Sequence, residues 1–166
     1  MLSGDALNFV RDCVKSGRTD VLADLRKYLQ TGDTQYAKKH LGEYLFKSQE
    51  YDWINKCVMQ ICSAYAYYPC ESPDSFGVAL KELFKNNVSV ENRVVRLLES
   101  RGDDVFYNVM SLVRMFKQPG ITFNYNNLLK QLIFWKDKRK LSQDKIASDF
   151  WIDSKNKENK NKEGEK

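Results

Sequence analysis

The run Val90-Glu91-Asn92-Arg93-Val94-Val95-Arg96-Leu97-Leu98 decides how this chain folds. Placed at about 100° per residue, Val90, Val94, Leu97 and Leu98 share one sector of about 100°, with Arg93 and Arg96 together beside it. That pattern predicts an amphipathic helix with one face in a core. Its flank offers two guanidinium groups, permanently charged forks of donors suited to phosphate oxygens.

Toward the C-terminus, Val105, Val109, Leu112 and Phe116 mark a helix over 104–117 that Asp103 and Asp104 can open and Pro119-Gly120 stops. Arg114 lies opposite that apolar stripe. It joins Arg93 and Arg96 if the two helices pack side by side; otherwise the three are unrelated solubilising charges. A further helix is expected over 125–138, burying Leu128, Leu129, Leu132, Ile133 and Trp135 and leaving Lys130, Phe134 and Lys138 as a stripe at i, i+4 and i+8. An aromatic between two cations can stack on an unpaired base; an exposed Phe can equally be a protein contact. Lys138-Arg139-Lys140 can hold a phosphate backbone or complement the negative end of the helix dipole. A last turn or two is expected over 143–152.

Toward the N-terminus the signals are again helical. Asp5 can cap a helix with Leu7, Val10 and Val14 inward, ending at Gly17, and Thr19 one with Leu22, Leu25 and Leu29, ending at Gly32. Thr34 can start a third, reaching Phe46. Over 51–68, Trp53, Ile54, Cys57, Val58, Ile61, Cys62 and Tyr65 cover so much of the surface that this helix is expected at the centre. Phe76, Ala79, Leu80, Leu83 and Phe84 mark a short helix that Asn86-Asn87 breaks. The expected architecture is all-α, two small helical bundles forming one elongated two-lobed protein. It divides into an N-terminal lobe over 1–86, a C-terminal lobe over 87–153 and a polar tail over 154–166 without large apolar residues, expected to be disordered.

The net charge of +5 is unevenly spread: residues 81–140 hold 12 basic against 6 acidic residues, whereas residues 1–80 hold 9 against 10. A positive field confined to the second half points to a polyanionic partner. The chain has no apolar segment long enough to span a bilayer and no basic segment followed by an apolar run at its start, so a cytoplasmic protein away from membranes is expected. Cys13, Cys57, Cys62 and Cys70 lack close CxxC pairing and read as reduced structural thiols. His40, the one histidine, has no nucleophile or orienting partner nearby in sequence. No phosphate-cradling glycine loop, serine-nucleophile motif or metal-spaced acidic group is present, so neither catalysis nor a cofactor is expected.

Several short runs, read together, are similar to the small subunit of the type I-E CRISPR surveillance complex Cascade, the CasB family. They are Phe76-Gly77-Val78-Ala79-Leu80, the run from Val90 to Leu98, Leu112-Val113-Arg114-Met115-Phe116, Gly120-Ile121-Thr122-Phe123-Asn124-Tyr125 with a helix reaching Trp135, and Ser148-Asp149-Phe150-Trp151. Upstream, Leu25-Arg26-Lys27 resembles the family's Leu-Arg-basic element, and Tyr68-Pro69 stands where many members have His-Pro. Asn92 replaces a frequent second arginine, and Val95 stands where an aromatic is common. The resemblance implies a two-lobed helical protein without enzymatic activity that works beside other Cascade subunits and a second copy of itself. It would stabilise the hybrid of CRISPR guide RNA with the target strand and grip the displaced DNA strand. Arg26, Lys27, Arg93 and Arg114 match basic family positions; Arg96, Lys130, Lys138 and Arg139 rest on local charge. A helical adaptor using Phe134 and Tyr107 as protein anchors is the alternative.

Overall fold

The structure, a computed structural model, describes residues 2–152. The 154–166 tail lies outside them. Among the described residues there are nine α-helices and no strand: α1 (Leu2–Lys15), α2 (Thr19–Thr31), α3 (Thr34–Leu41), α4 (Asp52–Tyr67), α5 (Phe76–Asn86), α6 (Val90–Glu99), α7 (Asp104–Lys117), α8 (Tyr125–Ile133) and α9 (Leu141–Trp151).

α4 occupies the centre, as its sequence predicts. Its residues 57–66 are buried without interruption, and it packs against α1, α2 and α3 and also against α7 and α8. Two helical groups thus share one core helix. Trp53 at its start donates its indole N–H to the Leu132 carbonyl, 3.0 Å away, and Tyr125 on α8 donates its hydroxyl to the carbonyls of Ala64 and Tyr68 at its end. A chain of ring contacts runs from Phe76 on α5 through Phe116 and Phe123 to Tyr125 and Tyr65. The four cysteines are buried and unpaired, and burial pushes the Cys57 and Cys62 thiols up to about 12, which leaves them unreactive.

Several boundaries differ from the sequence reading. Asp5 sits inside the first turn of α1, which begins at Leu2. α2 opens after Arg18 without a side-chain cap, so Thr19 is its first residue; at its other end Gly32, at φ 71°, closes the helix by donating to the Tyr28 carbonyl. Asp33, not Thr34, caps α3 by accepting from the Gln35 N–H at 3.0 Å. α3 stops at Leu41 and a 3-10 turn follows over Gly42–Tyr44, so Phe46 lies beyond the helix. α8 ends at Ile133 rather than near Lys138, because successive tight turns follow, with Asp137 N–H donating to the Phe134 carbonyl and Lys140 N–H to the Asp137 carbonyl. Those turns carry Trp135 into the core, where its indole donates to the Ser100 carbonyl at 3.2 Å. α9 is three turns long, starting at Leu141.

α5 precedes the expected lobe boundary after residue 86, and its closest packing is with α9, beyond that boundary. Gly77 makes this crossing possible: a Cβ there would lie 2.7 Å from both the Ile146 carbonyl oxygen and the Asp149 Cβ. Beside it, Ser75 caps α5 by accepting from the Val78 N–H and donates to Asp149 at 2.7 Å. The Gly77→Ala variant is therefore expected to lose about 1–3 kcal/mol, because backbone of α9 must move to admit a methyl group. Thermal unfolding checks this, and a melting temperature equal to that of the parent would contradict so close a crossing.

Candidate nucleic-acid interface

α6 and α7 do pack side by side. Arg93, exposed on α6, donates from Nη1 to the Ser111 hydroxyl at 2.7 Å. Ser111 stands three residues before Arg114 on α7, so the two are surface neighbours. The packing thus brings Arg93 onto the face of α7 that carries Ser111, about one turn before Arg114. One turn along α6, Arg96 shares a shallow depression with Tyr107 and Asn108 of α7 and with Arg101, and Asn108 donates to the Ser100 hydroxyl at 2.6 Å to hold the helices in register.

At the other end of α7, Arg114 and Lys117 line a depression together with Arg26 of α2 and Tyr67. The cause is the C-terminus of α4. Its last carbonyls carry the negative end of the helix dipole and need donors. Arg26 Nε donates to the Ala66 carbonyl at 2.8 Å and Lys117 Nζ to the Tyr67 carbonyl at 3.3 Å, while the Lys117 ammonium also sits 4.3 Å over the Tyr67 ring. A structural need thus gathers two cations where Arg114 adds a third.

Lys27, next to Arg26, is directed elsewhere. Its ammonium lies 4.5 Å over the Tyr36 ring, and contact with Tyr36 raises its pKa. His40, read as lacking a partner, meets Asp24 at 2.8 Å; hydrogen bonds from His40 and then Lys39 lower the Asp24 carboxyl.

The stripe expected from Lys130 through Phe134 to Lys138 is divided, because α8 ends before it is complete. Lys130, Phe134 and Arg139 share one depression with Leu141 and Lys145. Lys138 lies on another, of about 680 Å³, with Arg101, Lys136 and Lys140. Within the first, Arg139 is tied to Asp137 by bonds of 2.7 and 3.1 Å; the guanidinium holds that carboxyl at about 2. Lys145 is likewise paired with Asp149 at 2.6 Å. Both cations are exposed and paired with a carboxylate of the same chain. Lys136 packs its ammonium 4.0 Å over the Trp53 ring.

Glu99, Ser100 and Arg101 line both the Arg96 depression and the Lys138 depression. Arg96 and Arg101 thereby adjoin Lys136, Lys138 and Lys140, with Glu99, Asp104 and Asp137 among them, whereas Arg26, Arg114 and Lys117 gather at the other end of α7. The sequence reading did not include Lys117, Arg101 or Lys136 among candidate contacts. Spacing alone signals Lys117, three residues after Arg114, whereas Arg101 joins only through the packing of Trp135 on Ser100.

No helix among the described residues is long and apolar enough to cross a membrane. Residues 21–151 match the family CRISPR-associated protein Cse2. Curated protein sequences contain no match to the chain. Among solved structures, a Cse2-family CRISPR-associated protein from Thermus thermophilus is similar at 19% identity and TM-score 0.80, covering 90% of this chain and 97% of that one. A second structure, CasB from Thermus thermophilus, is similar at 19% identity and TM-score 0.77 with the same coverage, and M. ruber CasB at 22% identity and TM-score 0.69, covering 84% and 88%. The chain belongs to the CRISPR-associated Cse2 family, the CasB small subunits that its sequence resembles.

Proposed function

We propose that the chain is a non-catalytic, cytoplasmic small subunit of a type I-E Cascade complex that grips nucleic-acid backbone, stabilising the hybrid of guide RNA with target strand and holding the displaced strand in antiviral defence. The observation that supports this reading is the Arg93–Ser111 contact, which sets Arg93 of α6 against α7 about one turn from Arg114. Such a surface suits a complex in which base pairing reads the sequence and the protein supplies only a positive groove. In this reading Arg26, Arg93, Arg96, Arg114 and Lys138 hold the nucleic-acid backbone. Lys130 and Arg139, beside the 54% exposed Phe134 and 56% exposed Leu141, fit the edge of that surface or a contact with another Cascade subunit or a second copy. Lys27 contributes charge to the α2 end. The division into lobes over 1–86 and 87–153 belongs to the same proposal, with α4 of the first lobe packed against α7 and α8 of the second.

The free protein is expected to bind short DNA strands weakly and without sequence preference. Four phosphates neutralised would give a slope of about −3 in log affinity against log salt, or roughly 60-fold weaker binding between 50 and 200 mM. Anisotropy titrations at several salt concentrations measure it. Binding independent of salt, or absent at low ionic strength, would favour the adaptor alternative.

A further inference from the structure

Tyr107 is 74% exposed on the outer face of α7, one turn before the Ser111 on which Arg93 is anchored. Its ring borders a depression of about 450 Å³ with Arg96, Glu99, Arg101, Asp104 and Asn108. Arg96 on α6 and Arg101 just past its end stand beside the ring, with Arg93 one turn earlier on α6, and these guanidinium groups can hold the phosphates of a strand that passes it. Glu99 and Asp104 stand among them and disfavour a phosphate on the ring itself. Carboxylates accept hydrogen bonds from base amino groups, so they tolerate a base where they exclude a phosphate.

We propose that Tyr107 is a stacking platform for an unpaired nucleobase, which makes the α6–α7 face selective for single-stranded over duplex nucleic acid. The inference rests on the reading of this face as a nucleic-acid surface. In a duplex both faces of each internal base are already stacked on neighbours, so the ring adds affinity to a single strand and nothing to its duplex.

The test uses the full chain as wild type, Tyr107→Ala, Tyr107→Phe and the Arg93→Glu/Arg114→Glu double variant. Each is titrated at low salt with a short fluorescein-labelled DNA strand, the same strand with abasic sites through its centre, and its duplex. Tyr107→Ala is expected to bind the intact strand about tenfold more weakly. It should match wild type on the abasic strand and the duplex, and Tyr107→Phe should behave as wild type throughout. Melting curves of all the Tyr107 variants should coincide, since the side chain is outside the core. The inference is overturned if Tyr107→Ala keeps wild-type affinity for the intact strand while the arginine double variant loses it, or if Tyr107→Ala weakens all three ligands equally. If wild type itself binds none of them, the nucleic-acid reading fails and the inference with it. In that event, loss of Tyr107→Ala from the reconstituted complex would mark the ring as a protein contact.

Discussion

Phe76→Ala is expected to lower stability by about 4 kcal/mol and the melting temperature by roughly 10 °C, the largest effect of any single change considered. Phe76 is wholly buried and meets Phe116 and Phe123 edge-to-face at 5.5 and 5.2 Å. Its removal empties the point where α5, α7 and the turn before α8 converge. Neighbours cannot collapse into the space easily, because Gly77 already holds α5 against α9 without slack and Tyr125 is pinned to α4 by its hydroxyl. Circular dichroism on heating measures the shift. A loss under 1 kcal/mol would mean that the aromatic chain is not continuous.

The Arg93→Glu/Arg114→Glu variant should do the reverse, leaving stability alone and removing binding. Both side chains are exposed, and exposed substitutions usually change stability by no more than about 0.5 kcal/mol each. The Arg93 bond to Ser111 is lost, yet water replaces it at the surface. Two phosphate contacts become two repulsions. Single-strand affinity should fall at least about tenfold, and the salt slope should shrink by roughly 1.4. Titration of the variant beside its parent checks both, and an unchanged slope would place the strand elsewhere.

How much of this was legible in the sequence varies with the range of the interaction. α6 and α7 were readable because each carries one uninterrupted apolar stripe, and Pro119-Gly120 ends the second. The end of α8 was not: Trp135 continues the apolar spacing of Leu128 and Leu132 although it is buried through a turn, anchored to Ser100 just past the end of α6. α9 was read too short because its start has Leu141 exposed and Gln143 buried, donating to the Trp135 carbonyl at 2.8 Å, the reverse of the usual pattern. The need for Gly77 is not legible in its own helix, because the atoms that exclude a side chain there belong to Ile146 and Asp149, about 70 residues on. Within the candidate site, the outward placement of Arg93, Arg96 and Arg114 followed from periodicity. The gathering of Arg26 and Lys117 did not, since it depends on the carbonyls at the end of α4, some 40 and 50 residues away in sequence.

The proposed role of the cations on α6 and α7 is to keep opened DNA open. Its most direct measurement is the lifetime of opened target DNA on a reconstituted type I-E complex carrying either the parent chain or Arg93→Glu/Arg114→Glu, followed by magnetic tweezers, with permanganate footprinting of the displaced strand. The variant should assemble and recognise the target as the parent does, while the open state decays faster and becomes more sensitive to salt. An unchanged lifetime in a fully assembled complex would contradict the account.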